Sequence, residues 1–411
     1  MGKTKPRSKR MGTTTHMEQN TTKIRKTIQR TIMKIVHVYH HYWPVIGGLE
    51  NVVKALAEGM VRLGHEVHVI TSDHGTTNKT GEEEINGVHV HRIRSMRLGY
   101  PDLTYPLDYP TEVLKDADIV QAYSQNSLFT HMLAKKSKRL DKTTFIYYLG
   151  VDYLRMHHNP IIRTIGYRYE KYVTEKLVKI TDIALTTNKC EAEILRVNYG
   201  IESEVIPHGI NEHLIKMPRM DGKFRDKFGI EGEIIAYIGR VHPTKGIDTL
   251  IRAFRRTRNK VEDVNLVIAG SGDERYVMKL RKLIKELGLE RHVHMLGRAS
   301  EEDKVGLIDA AKFLALMSRH AGESYPVIIN EALARRKPII INKVGTAWCV
   351  GLPNIVVVNN EDEFVGRAVE LLTSQESYSE LINSLSDFRV EELMWGNIVR
   401  RVINIYEGVL V

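Results

Sequence analysis

The stretch KIVHVYHHYWPVIGGLENVVKALAEGMVRLGHEVHVITSD, Lys34 to Asp73, decides the fold. Its opening, KIVHVYHHY, is rich in β-branched and aromatic residues and breaks at PVIGG, which reads as a strand running into a glycine turn. LENVVKALAEGMVRLG then sets Val52, Val53, Leu56, Met60 and Leu63 at helical spacing, with Gly64 as the stop. HEVHVITSD is the next strand. Strand, helix and strand in this order form a βαβ unit, which calls for a parallel sheet covered by helices on both faces.

Working outward, GVHVHRI, ADIVQAYS, TTFIYYLG, TDIALTTN and SEVIPHG continue the series of short apolar strands. From Asn211 to Gly232 the pattern stops in a charged stretch that holds Pro218, and this reads as an interdomain linker. It then restarts. EIIAYIGR, VNLVIAGSGD, HVHMLGR, KFLALMS and KPIIIN read as strands, alternating with helices such as KGIDTLIRAFRR, RYVMKLRKLIKELGL and VIINEALARR. The end, VEELMWGNIVRRVINIYEGVL, reads as one long amphipathic helix. A chain of 411 residues exceeds one ordinary core. The expected division is a leader over 1–32, a first α/β domain over 33–212, a second over 213–395, and a final helix over 396–411 crossing back toward the first. Tandem α/β domains with loops at the carboxyl ends of their strands favour a ligand site in the cleft between them.

Composition narrows the function classes. Hydrophobic residues at 42% suit a globular protein, and no apolar run approaches the ~18 residues a membrane-spanning helix requires. The net charge of +10 is mostly local, because nine basic residues against one acid, Glu18, fall within residues 1–32. That threonine-rich tail has too little apolar surface to fold alone and reads as a solvated leader; the competing reading is an arm for anionic lipid or nucleic acid. No nucleic-acid partner is expected, and the leader lacks the apolar core of a secretion signal. Cys190 and Cys349 are too few for a disulfide framework or a zinc cluster, which fits a reducing, cytoplasmic compartment. The histidine pairs at 40–41, 89–91, 157–158 and 292–294 lack a third ligand at usable spacing, so no metal site is expected.

Three stretches can carry chemistry. GESYPVIINEALARRKP, Gly322 to Pro338, sets Glu323 in the loop after a strand and Glu331 one to two turns into a helix. The free N–H groups of that helix start suit a phosphate, and a carboxylate accepting two hydrogen bonds suits a vicinal diol. The competing reading makes Glu323 a cap and Glu331 a surface partner of Arg335 or Arg336. YIGRVHPTKGIDTL places Arg240 after a strand and Lys245 before a helix, where the two cations can neutralise a leaving diphosphate or simply be solvated. GGLE, Gly47 to Glu50, opens the first helix with amides that face a phosphate or merely make a tight turn. A dinucleotide oxidoreductase needs G-x-G-x-x-G, and both GGLENV and GSGDER lack its last glycine. KDAD, with Asp116 and Asp118, falls at the amino end of a strand, away from the cleft, and reads as incidental.

Taken together, GGLE, GRVHPTKG and ESYPVIINEALARRKP, with VIPHGI, VIAGSGD and the tryptophan-containing final helix, resemble family 4 nucleotide-sugar glycosyltransferases of the GT-B fold, from about Met33 to the C-terminus. The resemblance implies two Rossmann-like α/β domains facing across a cleft. It also implies a retaining transfer of a hexose from a UDP- or GDP-sugar to a glycan or lipid-linked acceptor, with no cofactor and no metal. By that resemblance Arg240 and Lys245 bind the diphosphate, Glu331 the ribose and Glu323 the transferred sugar, these being catalytic save Glu331. Amides near Tyr325, Val327 and Ile328 assist, Gly47 and Gly48 close over the pyrophosphate, and the Gly297–Arg298 loop lies by the base. Tyr123 and Asp152 would stand on the acceptor side, and the enzyme would work in the cytoplasm or at a membrane surface as a peripheral protein.

Several positions depart from the family pattern. Gln121 and Tyr123 replace two histidines, Leu149 another, Arg336 a glycine, and VGTAWCVGLPNI a loop that usually holds glycine and glutamate. These departures motivate an alternative: a nucleotide-sugar-binding homologue without turnover, serving as a partner subunit.

Overall fold

The computed structural model describes residues 1–2, 32–75, 79–157 and 159–410; the leader expected over 1–32 lies almost wholly outside them. The first domain is built on β1 (Lys34–Val38), β2 (Glu66–Ser72), β3 (Gly81–Ile85) and β4 (Val88–Ile93), a small hairpin of β5 (Ser95–Arg97) and β6 (Thr104–Pro106), then β7 (Ile119–Tyr123), β8 (Thr143–Tyr147), β9 (Ile183–Thr186) and β10 (Ser203–Val205). Apart from the hairpin they form one sheet in the order β10-β9-β8-β7-β1-β2-β4-β3. All neighbours run parallel except β3, which pairs antiparallel with β4. The sequence reading passed over β3, GEEEI, because an exposed edge strand of glutamates carries no apolar alternation.

The second domain holds β11 (Glu233–Ile238), β12 (Val264–Ala269), β13 (Val293–Gly297), β14 (Phe313–Leu316), β15 (Ile339–Asn342) and β16 (Ile355–Val358). They make a parallel sheet ordered β13-β12-β11-β14-β15-β16. Both sheets are doubly wound α/β layers of the Rossmann kind. In each, the chain leaves in opposite directions from a switch point, β1/β7 in the first and β11/β14 in the second. Loops at the carboxyl ends of those strands therefore line one crevice, where open α/β sheets bind ligands.

The stretch read as a linker contains two short helices, Glu212–Lys216 and Asp221–Phe228. Arg335 gathers it: its guanidinium donates to the carbonyls of Leu214, Met217 and Pro218 and pairs with Asp309 at 2.6 Å. This guanidinium and carboxylate are both buried, a pairing that suits the planar five-donor fork of arginine. Arg336, where glycine is usual, has φ 54°. Its side chain offsets that left-handed backbone by donating to the carbonyls of Leu385 and Phe388.

The closing helix, Trp395–Leu410, packs its Val399 against Gly59 of the helix Gly48–Arg62 and sends Tyr406 into the first-domain core beside Phe145. It begins after a separate turn at Val390–Leu393, so the terminal segment is a turn and a helix rather than one helix. No helix among the described residues is long and apolar enough to cross a membrane.

Candidate active site

The second-domain wall is assembled from the two loops that flank its switch point. After β11 the chain passes Gly239 and Arg240 to a short turn, Pro243–Lys245, and then the helix Ile247–Arg258. Gly246 has φ +63°, and a Cβ there would stand 1.8 Å from the carbonyl oxygen of Met317, so no other residue fits without displacing backbone. That close approach brings the Lys245 ammonium onto the Glu323 carboxylate, which also accepts from Ser318 Oγ at 3.2 Å. The backbone of Glu323 is fixed as well, since its carbonyl accepts from the amides of Thr346 and Ala347.

Eight residues on, Glu331 pairs with Lys304 at 2.7 Å, and Lys304 also meets Glu301 at 3.0 Å. Burial works against the Lys304 charge, but Glu331 and Glu301 outweigh it and hold its pKa above the ordinary lysine value. Thus Glu331 is not paired with Arg335 or Arg336, as the helix-surface reading would have it.

Two cavities meet at Lys304. One, of about 510 Å³, lies between the domains and is lined by Gly48, Asn51, Lys304, Val327, Asn330 and Glu331 among others. The other, of about 230 Å³, is bounded by Gly239, Arg240, Gly270, Arg298 and Lys304. The two cavities therefore take in Gly48, Arg240, Arg298, Val327 and Glu331, while the Lys245–Glu323 pair lines neither and lies, with Arg240, within the electrostatic reach of His320. Ile328 follows in the first turn of the helix Val327–Ala334, where N–H groups lack intrahelical partners, although its side chain is buried. The Tyr325 side chain turns inward, donating to Asn330 Oδ1 at 2.8 Å and packing on His208 at 4.6 Å. Gly47 is the N-cap of its helix, and a Cβ there would strike the Glu50 carboxylate at 2.1 Å. Glu50 thus folds back over the helix start that was read as a phosphate site.

The first-domain calls fare differently. Tyr123 is wholly buried, its hydroxyl hydrogen-bonded to His37 Nδ1 at 2.7 Å and accepting from Gln121 Nε2 at 2.6 Å, while Tyr406 of the closing helix donates to Gln121 Oε1. Gln121 and Tyr123, two apart on β7, share the strand face that packs on that helix, so neither side chain lines the cleft. Asp152 sits at φ 60° with its carboxylate taken by Asn198 Nδ2 at 2.6 Å and by the Tyr199 hydroxyl. It fixes a turn instead of facing an acceptor. Asp118 accepts from the Lys34 amide at 2.7 Å, at the amino end of the sheet, opposite the cleft.

Other residues occupy the first-domain face. Arg97 donates to His41 Nε2 at 2.6 Å, which leaves Nδ1–H to donate to Glu50 at 3.3 Å. His40 meets Ser127 Oγ at 2.9 Å and Asp102 at 3.9 Å. Burial, with Glu50 adding, pushes the Asp102 carboxyl up to about 6 although His41 pulls it down. Across the cleft His320 stacks edge-on against Tyr153 at 5.5 Å; burial keeps its pKa low despite Glu323, and Lys245 and Arg240 add to that. Sequence reading weighed His40 only as a metal ligand and passed over Asp102 and His320, because each comes from a separate loop and the His40–Asp102 approach joins residues far apart in the chain. No group of three or more metal-ligating side chains occurs among the described residues.

The walls are tied at one edge by the start of the helix Lys189–Tyr199. Asn188 Nδ2 donates to the Ser324 carbonyl at 3.0 Å and Thr346 Oγ1 donates to Glu191 at 2.7 Å. Glu191 also accepts from the amides of Gly150 and Val151, and burial pushes its carboxyl up to about 7 against those bonds. Cys190 and Cys349 are joined by a disulfide across the same contact, Cα to Cα 5.8 Å. The two cysteines, read from the sequence as a sign of a reducing compartment, are instead paired in one interdomain bond, which their separation of 159 residues hides from a sequence reading.

The sequence profile of the Glycosyl transferases group 1 matches residues 221–386, and that of Glycosyltransferase Family 4 matches 46–214. An uncharacterized glycosyltransferase of Methanocaldococcus jannaschii is 27% identical over 91% of this chain and 98% of its own. The phosphatidylinositol N-acetylglucosaminyltransferase GPI3 subunit of Saccharomyces cerevisiae is 23% identical over 90% of this chain and 81% of its own. Among solved structures, Anabaena HepE in complex with UDP-glucose superposes with a TM-score of 0.71 at 18% identity, covering 92% of this chain and all of that one, 100%.

Proposed function

The chain belongs to the group 1, family 4 glycosyltransferases of GT-B fold, and from that premise we propose that it moves a hexose from a UDP- or GDP-sugar to a lipid-linked or glycan acceptor with retention of configuration. The observation that carries this reading is the Lys245–Glu323 contact beside Arg240, with Glu331 one cavity away. Arg240 and Lys245 hold the diphosphate and neutralise the charge it gains as the glycosidic C–O bond breaks, work that a divalent metal does elsewhere. Glu323, kept in place by Lys245 and Ser318, accepts hydrogen bonds from the sugar hydroxyls. Glu331 takes the ribose diol, sharing its carboxylate with Lys304. The acceptor oxygen attacks the anomeric carbon from the face the diphosphate leaves, and its proton passes to a phosphate oxygen. A lipid-linked acceptor is favoured by the relative whose name specifies phosphatidylinositol.

One observation favours a second reading, donor binding without turnover in a partner subunit: the positions of the usual histidines, Gln121 and Tyr123, are sealed in the core. Release of nucleoside diphosphate from donor and acceptor separates the two. The donor assignment itself is tested with Glu331→Ala and a panel of UDP- and GDP-sugars. The expected result is about tenfold weaker nucleotide binding by a chain that still folds. A loss of stability with intact affinity would contradict the ribose role.

A further inference from the structure

We propose that the Cys190–Cys349 disulfide is a redox latch on the cleft: formed, it holds the second-domain platform under Glu323 against the first domain, and opened by a dithiol it frees that platform and weakens the donor grip. The inference adds a control to the proposed donor site and rests on that reading for what the latch governs, not for where the latch lies.

The bond joins two short segments that already carry contacts between the walls. Cys190 is the second residue of the helix Lys189–Tyr199, and Cys349 lies in the turn Ala347–Val350. At the start of that turn the amides of Thr346 and Ala347 both donate to the Glu323 carbonyl at 3.0 Å. From the first domain, Asn188 Nδ2 donates to the Ser324 carbonyl at 3.0 Å and to Thr346 Oγ1 at 3.2 Å, and Thr346 Oγ1 donates to Glu191 at 2.7 Å. Glu191 in turn accepts from the amides of Gly150 and Val151. Gly150 stands against Gly322, where a Cβ would lie 3.4 Å from the Gly322 Cα and carbonyl oxygen. Residues 188–191 thus reach the backbone on both sides of Glu323, and the disulfide is the covalent tie among these contacts.

The setting suits a bond that opens and closes better than a staple. Each domain has a buried core of its own, unlike the small folds that need a cross-link to hold together. Both cysteines are partly exposed at the cleft edge, within reach of a thiol reagent. The Cys190 sulfur sits at a helix start, whose partial positive charge favours the thiolate released there. Attack by one thiolate of a dithiol on the Cys349 sulfur forms a mixed disulfide and releases Cys190 as a thiolate, which takes up a proton. The second sulfur of the dithiol then displaces Cys349, which is protonated in turn. Two electrons and two protons pass to the protein, and the dithiol leaves as a disulfide.

The test uses the full chain, oxidised with glutathione disulfide or reduced with dithiothreitol. Alkylation with iodoacetamide in denaturant, read by mass, should leave the oxidised monomer unmodified and label both cysteines of the reduced one. Hydrogen exchange over residues 345–350 should be faster in the reduced form with no ligand present. Calorimetric titration with UDP and with GDP should show binding about three- to tenfold weaker after reduction, as expected when a preorganised wall is loosened. Cys190→Ser and Cys349→Ser should each match the reduced form and ignore dithiothreitol, and the reduced wild type gives the same reading should a variant fail to fold. If neither nucleotide binds in either state, the donor assignment fails, and faster exchange on reduction still upholds the latch. Labelled cysteines after oxidation, or a disulfide-linked dimer, would overturn the proposal. So would exchange that reduction leaves unchanged, or nucleotide affinity that stays the same or rises on reduction while only the melting temperature falls, the behaviour of a structural staple.

Discussion

On the second-domain wall of the cleft, Glu323 and Glu331 are each met by a lysine from another element, and Glu331 lines the cavity between the domains. On the first-domain wall, Tyr123 and Asp152 have every polar atom engaged by protein and present nothing to a ligand. Glu323 and Glu331 follow β14 and Tyr123 ends β7, both strands at a switch point, while Asp152 follows the neighbouring β8, so topology alone does not separate the pairs. What separates them is which way the side chains face. The loops after β11 and β14 cross each other at Gly246, and this forces Lys245 and Glu323 together at the sheet's mouth. Tyr123 lies within its strand, on the side that the closing helix covers with Tyr406. A carboxyl-end position becomes a site residue only when it lies past the last strand residue, or on a face that no helix claims.

The largest effect expected of breaking this contrast is on the second wall. Lys245→Ala removes the cation proposed to neutralise the leaving diphosphate and should lower turnover by about 10²–10³, read as nucleoside diphosphate release. A near-normal rate would return Lys245 to the status of a solvated surface cation. Tyr123→Phe tests the opposite wall. It strands Gln121 and His37 in the core and should cost about 1–3 kcal/mol in urea unfolding, with nucleotide affinity unchanged. A fall in affinity without a fall in stability would restore Tyr123 to the cleft.

The contact that joins the walls gives the smallest effect and a pH signature. Burial raises the Glu191 carboxyl from 4.5 to about 7, so between those values the folded chain holds a proton that the unfolded chain has lost. Its contribution to stability is full below pH about 4.5 and is lost as pH rises through about 7. Glu191→Gln keeps the neutral form at every pH. The melting temperature of this variant relative to wild type should therefore climb from pH 4 to pH 8, and a flat difference would place the titration elsewhere.

Much of this was legible in the residues before any coordinates. The βαβ rhythm from Lys34 to Asp73 and its restart at Glu233 need only local periodicity and glycine turns, and the two wound sheets follow from them. Glu323 with Glu331, and Arg240 with Lys245, stood out as candidates because each pair sits within one loop-and-helix unit, but spacing left the cap and surface-cation readings open and only the resemblance to family 4 chose between them. The rest depends on contacts between segments far apart in the chain. His40 with Asp102, Cys190 with Cys349, and Tyr406 with Gln121 lie 62, 159 and 285 residues apart, beyond the reach of any periodic signal. The glutamate strand β3 and the two short helices after Asn211 were missed for another reason: exposed, polar elements are held by their neighbours and not by an apolar pattern of their own.

The central claim is that the donor grip belongs to the second-domain wall. Calorimetric titration of wild type, Glu331→Ala and Tyr123→Phe with UDP- and GDP-sugars tests it most directly. The account predicts that one donor class binds wild type and Tyr123→Phe alike and binds Glu331→Ala about tenfold more weakly. Undiminished binding by Glu331→Ala, with loss in Tyr123→Phe, would contradict it.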